Sequence, residues 1–334
     1  MKVSGWLTFG AVALLFAISL PATHARAQAP ANVTVNVFQG GFNWPSFVGQ
    51  KKGFFERNGI VVTLQATPNS VAQMTGLAEG KFDIAVTAFD NIVAYVEGQG
   101  EAPIGAQPEF FAFMGSDNGF LSLVTAPEIK KFADLKGKTL SVDARTTGYA
   151  FVLFDILRRN GLAEGDYKIE KVGGTVLRWD ALREGKQSGT LLSAPFNLLA
   201  SEQHFIELAR AIKVVGAYQG NVAATRRSWA RDNRTKVIAF IRGYSQAIDW
   251  LYDRANREEA ISILLNNVKM SPEIAGRTYD ELLDQKDGFF RKARVSTEGM
   301  RTVLALRSRY ADPRKKLTDP SKYYDSGYYD SAMR

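Results

Sequence analysis

The sequence predicts an α/β protein of two lobes, each a mainly parallel sheet flanked by helices, with a helical C-terminal extension. Three observations carry this reading. Strands and helices alternate through residues 33–100, and the same order restarts at 138–205. Short phrases return a hundred residues later: "FFERNGI" (54–60) as "ILRRNGL" (156–162), and "GLAEGK" (76–81) as "ALREGK" (181–186). From 235 onward the alternation gives way to long helical stretches. At 334 residues, 46% hydrophobic and 23% charged, the chain is long enough for two packed cores.

In the first half, "VTVNVF" (33–38) alternates and is β-branched, which makes a strand. "FVGQKKGFFERNG" (47–59) has helical spacing and a stop at Asn58-Gly59. "IVVTLQ" (60–65) is a second strand and "SVAQMTGLAEG" (70–80) a helix capped by Asn69 or Ser70 and stopped by Gly80. "FDIAVTA" (82–88) is apolar enough for a strand buried on both faces, and "DNIVAYVEGQG" (90–100) is a helix. This order calls for parallel pairing with right-handed crossovers.

The second half repeats it with strands at 138–144, 167–172 and 189–194, and helices at 148–161, 176–185 and 195–205. Asn58 and Asn160, and Gly80 and Gly185, fall at matching ends; taken alone, such short echoes are also what two unrelated helix stops would leave. "KVVGAYQG" and "NVAATRRS" (213–228) read as strands returning between the lobes. Helices follow at 235–254, 257–268, 271–284 and 296–311, packing back on the first lobe, and the Tyr-rich tail covers a surface. The expected divisions are 1–27 for a leader, 32–118 plus 220–334 for a discontinuous first lobe, and 119–219 for the second.

The leader is read from Lys2, the apolar run 6–20 and the small-x-small site Ala25-Arg26-Ala27, which together form a cleavable export signal. The sequence has no cysteine, so disulfides, thiolate chemistry and a lipid anchor are excluded. His24 and His204 are the two histidines, so no metal site of the usual kind and no cofactor is expected. The net charge is +8, or +6 without Lys2 and Arg26. Its basic runs, 226–234 and 312–316, are broken by acids, which reads as solvated faces and not a nucleic-acid surface.

In open α/β sheets a ligand sits beyond the carboxyl ends of the strands, near helix starts. After the first strand this selects Asn43, which donates and accepts, and Trp44, whose ring either stacks on a ligand or packs against the sheet. After the second it selects Asn69 and Ser70, residues equally fitted to capping. After the third come Thr87, Phe89 and Asp90, the last a cap that can also take a ligand donor. In the second half, Arg145, Thr146, Thr147 and Gly148 precede a helix whose free N–H groups suit an anion. The alternatives there are an N-cap for the threonines and an ion pair of Arg145 with Asp143 or Asp180. Gly173, Gly174, Ser193 and Phe196 hold the remaining tips. The aromatics at these loops, Trp44, Phe89, Tyr149 and Phe196, together with the Arg-Thr-Thr stretch, favour an organic anion or a heteroaromatic over bare nitrate.

The ordered series "GQKKGFFERNGIVVTLQ", "GLAEGKFDIAVTA", "FADLKGKTLSVDARTTGYAFVLFDILRRNGL" and "ALREGKQSGTLLSAPF" resembles the nitrate/sulfonate/taurine and thiamine-precursor group of ABC-transporter solute-binding proteins. That resemblance implies a type II periplasmic binding protein, soluble and monomeric, which closes on a small solute and delivers it to an inner-membrane permease. The chain lacks "GxxxxGK[ST]", so it is not the ATPase. The same cleft would serve a sensor reporting to a membrane receptor. A third reading, an enzyme like the fungal thiamine-pyrimidine branch, meets a sequence without cysteine, with only His204 beyond the leader and with no "GxSxG".

Overall fold

The computed structural model describes residues 1–5, 29–105 and 108–334; residues 6–27 of the expected leader lie outside them. The first sheet is laid down by β1 (Ala31–Val37), β2 (Ile60–Ala66), β3 (Ile84–Ala88) and β4 (Phe110–Gly115), joined by α1 (Trp44–Lys51), α2 (Phe54–Arg57), α3 (Ser70–Glu79) and α4 (Phe89–Val96). The chain then builds β5 (Ser122–Thr125), β6 (Thr139–Val142), α5 (Gly148–Arg159), β7 (Lys168–Lys171), α6 (Thr175–Arg183), β8 (Gly189–Leu192), α7 (Phe196–Glu202), β9 (Ile206–Arg210) and α8 (Ala211–Val215). It returns through β10 (Asn221–Arg226) and finishes in α9 (Arg227–Asp232), α10 (Arg234–Tyr252), α11 (Arg257–Asn267), α12 (Pro272–Leu282), α13 (Thr297–Tyr310) and α14 (Ser326–Met333).

The strands form two separate five-stranded sheets, ordered β2-β1-β3-β10-β4 and β7-β6-β8-β5-β9. In each, the first three strands run parallel, as the helical crossovers between them require, and the fourth runs antiparallel to both its neighbours. The two sheets therefore share one plan, and the echo in the sequence has a structural cause. Asn58 and Asn160 each turn their side-chain amide back to the carbonyl four residues earlier, at 2.7 and 2.8 Å. Gly59 and Gly161 follow at φ 85° and 82°, where a side chain would be strained, and release the chain into β2 and β7.

Several boundaries differ from the sequence reading. The helix expected over 47–59 is broken at Lys52 and Gly53, because Gly53 adopts φ 66°. The strand expected over 213–220 does not form; Ala211–Val215 is helical and Gly216 turns at φ 80°. β4, β5 and β9 have no counterpart in the sequence reading, since β4 is a continuous apolar run, β5 has four residues and β9 is edge-like and half-buried. The tail is partly helical: α14 packs on α10 and β4, with Tyr328 against Phe111 at 5.5 Å.

α10 lies along α1 and α2, where Phe55 stacks on Phe240 at 5.4 Å. α13 takes a different position, between α4 of the first sheet and α5 of the second. The segment after it is fastened to Glu97, at the end of α4, which accepts from Lys315 (3.0 Å), Lys322 and the Tyr323 hydroxyl (2.8 Å). Burial alone would raise the Glu97 carboxyl, but hydrogen bonds from Lys322, Lys315 and Tyr323 outweigh it and bring it from the usual 4.5 to about 2. A depressed carboxylate stabilises the fold above its unfolded value and loses that contribution as pH falls toward its folded value. Glu97→Gln is thus expected to lower the melting temperature at pH 7, with the gap to the wild type closing between pH 4.5 and about 2. A gap independent of pH over that window in thermal melts would refute the assignment.

Candidate functional site

The carboxyl-terminal tips of the two sheets face one another. The segment after β2 meets the one after β7, where the Gly174 N–H donates to the Pro68 carbonyl at 2.8 Å. The segment after β1 meets the one after β8 through Gly41 N–H to the Ala194 carbonyl, 3.2 Å. The first N–H of α3, at Ser70, donates across the gap to the Asp143 carboxylate at 3.1 and 3.3 Å. Between these contacts lies a cavity of about 40 Å³, room for roughly three waters.

Both lobes wall it. The first supplies Phe38, Phe42, Ala88, Asn91 and Asn221, and the second Asp143, Thr147, Tyr149, Gly174, Thr175, Arg178 and Ser193, with Gly119 at the crossing. Arg178 dominates its electrostatics. The buried stripe of α6 runs Thr175, Arg178, Trp179, Ala181 and Leu182, so a guanidinium occupies a position that helical spacing reserves for an apolar side chain. Arg178 is 3% exposed. Its three hydrogen bonds go to neutral oxygens: the Gly173 carbonyl (3.3 Å), the Thr175 hydroxyl (3.2 Å) and the Leu191 carbonyl (3.1 Å). Its Nε has no partner. Burial pulls its pKa below the usual arginine value, against the opposing influence of Asp143 and Tyr149.

Asp143 is raised by burial, while Ser70 and the nearby Arg178 charge act to lower it. The Tyr149 hydroxyl is buried without a partner, its ring 6.2 Å from that of Tyr218, and burial pushes it well above the ordinary phenol value. It therefore stays a neutral donor. Asn91 donates to the Thr87 hydroxyl at 2.8 Å, and Asn221 donates to Asp117; both asparagines line the cavity.

Of the residues chosen from the sequence, Thr147, Gly174 and Ser193, together with the aromatic Tyr149, line this cavity. Thr147 also caps α5, accepting from Ala150 N–H at 3.4 Å. Ser70 stands just behind the wall on Asp143, and Asn69 caps α3 through Ala72 N–H at 2.8 Å. Asn43 is buried and donates to the Phe38 carbonyl at 2.5 Å. Trp44 is core: its Nε1 donates to the Ala260 carbonyl at 3.1 Å and its ring meets Tyr279 edge-on. Phe89 packs edge-on against Tyr323, and Phe196 joins Trp179 in a separate apolar cluster. Arg145 lies outside the cavity; its exposed side chain leaves the tip of β6 on the outer side, 3.5 Å from Glu164 and over the Phe154 ring.

Asp90, Thr146 and Gly148 take part in a different contact. Arg307 of α13, fully buried, forks onto Asp90 at 2.8 and 2.5 Å, donates to the Thr146 carbonyl of the second lobe at 2.6 Å, and reaches Gln99 at 3.2 Å. Gly148 lies so close to Asp90 that a β-carbon there would stand 2.4 Å from the Asp90 side chain. The sequence reading missed Arg178, Asp143, Asn91, Thr175, Asn221 and the paired Phe38 and Phe42. Arg178 alone left a legible signal, an arginine on the apolar stripe of its helix.

The sequence model of a family described as NMT1/THI5 like matches residues 43–258. The fold superposes on the periplasmic nitrate-binding protein NrtA from Synechocystis PCC 6803, with 13% identity, 92% of this chain and 89% of that chain covered, and a TM-score of 0.75. It superposes on the periplasmic aliphatic sulphonate binding protein SsuA from Escherichia coli with 17% identity, 88% and 92% covered, and a TM-score of 0.65. It is also similar to the desulfurization enzyme DSZB, with 10% identity, 90% and 99% covered, and a TM-score of 0.63. No curated protein matches the chain in sequence. At these identities the likeness concerns the fold, which is the two-lobe α/β fold of periplasmic binding proteins.

Removing one partner from a buried ion pair leaves an uncompensated charge and costs about 3–5 kcal/mol. Arg307→Met is expected to lose that much in urea unfolding at neutral pH. The double variant Arg307→Met with Asp90→Leu is expected to regain part of it. A loss below about 1 kcal/mol would mean that the fork is not holding the α4–α13 contact.

Proposed function

The chain belongs to the NMT1/THI5-like family, and we propose that it is the periplasmic solute-binding component of an ABC importer. In this reading it captures one small anionic or heteroaromatic solute by closing its lobes and presents it to a permease of the inner membrane. The observation that carries the reading is Arg178: a buried guanidinium, unmatched by a carboxylate in its hydrogen bonds, on the wall of a cavity enclosed by both lobes. A cation held this way keeps its charge and its Nε–H for a solute's acceptor group, and a charge-assisted bond suits it to carboxylate, sulfonate or nitrate-like oxygens. The unpartnered Tyr149 hydroxyl adds a second donor. Phe38 and Phe42 give two aromatic surfaces, though not the ones the sequence singled out.

The likeness to a nitrate-binding and a sulphonate-binding periplasmic protein agrees with this reading, as does the export signal expected at 1–27. Catalysis has less in its favour. His204, the histidine among the described residues, is exposed after α7 and does not line the cavity. The lining holds one carboxylate, Asp143, whose hydrogen bonds come from Ser70 and not from a hydroxyl of the cavity wall.

Function then follows from closure. One lobe binds the solute first, and the other completes the wall as the tips of β2 and β7 meet. The solute shifts the lobes only by the difference in its affinity for the closed and open arrangements.

A thermal-shift screen of the chain without residues 1–27 against nitrate, sulfonates, taurine, pyrimidines and aromatic carboxylates is expected to find a stabilising solute. That solute is expected to reduce the radius of gyration in solution scattering. Calorimetry should show Arg178→Gln weakening it by about 2–5 kcal/mol, with Arg159→Ala, on the exposed flank of α5, unchanged. Equal affinities for the two variants, or a saturated protein of unchanged dimensions, would overturn the proposal.

A further inference from the structure

The cavity carries a negative charge as well as a positive one, and the negative charge bears on which solutes can enter. Asp143 follows β6 on the same lobe as Arg178, close enough that each influences the other's ionisation. Yet no hydrogen bond joins them: Arg178 spends its donors on Gly173, Thr175 and Leu191. The Asp143 carboxylate takes its hydrogen bonds from one residue, Ser70, whose N–H is shared between its two oxygens. A carboxylate can accept about four hydrogen bonds, so most of its capacity remains unused. Asn91 and Asn221, each with a side-chain amide oxygen able to accept, line the same cavity. The lining therefore divides into a donating part, Arg178 Nε and the Tyr149 hydroxyl, and an accepting part centred on Asp143.

We propose that Asp143 is the residue that sets charge selectivity, excluding bare anions and admitting a net-neutral solute with an acceptor group at one end and a proton-donating group at the other. This rests on the reading that the cavity is the solute site, and it narrows the anionic or heteroaromatic class proposed above to solutes that also carry a proton-donating group and are neutral overall. A bare anion drawn to Arg178 meets the like charge of Asp143 in a desolvated space, and the two contributions oppose each other. A zwitterion or a neutral amino-heterocycle meets both walls with matching polarity. Because Asp143 is fixed by Ser70 of the opposite lobe, this discrimination is complete only when the lobes are closed.

The test is titration calorimetry of nitrate and methanesulfonate, as bare anions, into the wild type and Asp143→Asn. Asparagine keeps an oxygen for the Ser70 N–H while removing the charge; Asp143→Ser serves as the second variant should the first fail to fold. Both anions are expected to bind the variant at least tenfold more tightly than the wild type, and Arg178→Gln in the same background is expected to abolish the gain. Anions that bind the wild type as tightly as the variant, with a smaller radius of gyration on binding, would overturn the selectivity while leaving the solute-binding role standing. Anions that bind neither protein would also overturn it, since removing Asp143 would then have opened nothing, and the solute screen alone would decide the broader role.

Discussion

The two lobes are joined where the chain passes from β4 to β5 and from α8 to β10, and the tight packing of those two segments constrains everything else. Gly220 sits so close to the other segment that a β-carbon would stand 2.0 Å from the Gly119 nitrogen and 2.5 Å from Asp117 Oδ1. Asp117 is fully buried there, accepting from Gly119 N–H at 2.8 Å and from the backbone and side-chain amides of Asn221 at 3.0–3.2 Å. Burial raises its carboxyl, and the Asn221 and Gly119 hydrogen bonds act against that. Asn221 opens β10 and lines the cavity, so the crossing and the site wall share one residue. The Gln219 side chain ties Asp117 to Asn221, and it accepts the Ser296 N–H that leads into α13. A single polar cluster thereby sets the spacing of the sheets, the start of β10 and the position of the helix that carries Arg307.

That arrangement divides the contacts between the lobes into two kinds. Around the rim they are exposed ion pairs: Arg210 with Glu281 at 3.5 Å, Lys213 with Asp287 at 3.4 Å and Lys171 with Glu101 at 2.9 Å. Each such pair contributes little and is screened by salt. In the interior, Arg307 reaches the Thr146 carbonyl without leaving its fork on Asp90. The first kind suits a joint that opens; the second orients α5 so that Thr147 and Tyr149 face the cavity when it shuts.

The α/β order, the restart and the helical extension were legible because they depend on periodicity and on the Asn-Gly stops, both of which are local. The echo between residues 54–60 and 156–162 was legible for the same reason, since Asn58 and Asn160 perform the same turn. β4 and β5 were not, because buried strands next to a crossing lack alternation and owe their pairing to distant strands, β4 to β10 and β5 to β8 and β9. The strand-tip rule found the right loops yet not the right side chains. At the tip of β6 it picked Arg145, which points outward, over Asp143, which lines the cavity. Asp143 and Arg145 have the same strand parity, so alternation cannot separate them; β6 ends at Val142, and the turn beyond that unmarked boundary sends the two side chains to different sides.

The balance of these contacts fits the proposed role, in which closure of the lobes would respond to a ligand. The lobe-to-lobe bonds at Gly174–Pro68, Gly41–Ala194 and Ser70–Asp143 are all polar and lie at loop tips, where water can replace them when the lobes part. Such exchanges nearly cancel in free energy, so closure by these contacts alone gains little. The buried guanidinium of Arg178 and the unpartnered Tyr149 hydroxyl tilt the balance toward opening, because shutting the cavity strips water from both. A solute that satisfies them removes that desolvation cost only in the closed arrangement. In the proposed mechanism, the differential affinity that closure requires would arise in part from these unsatisfied donors.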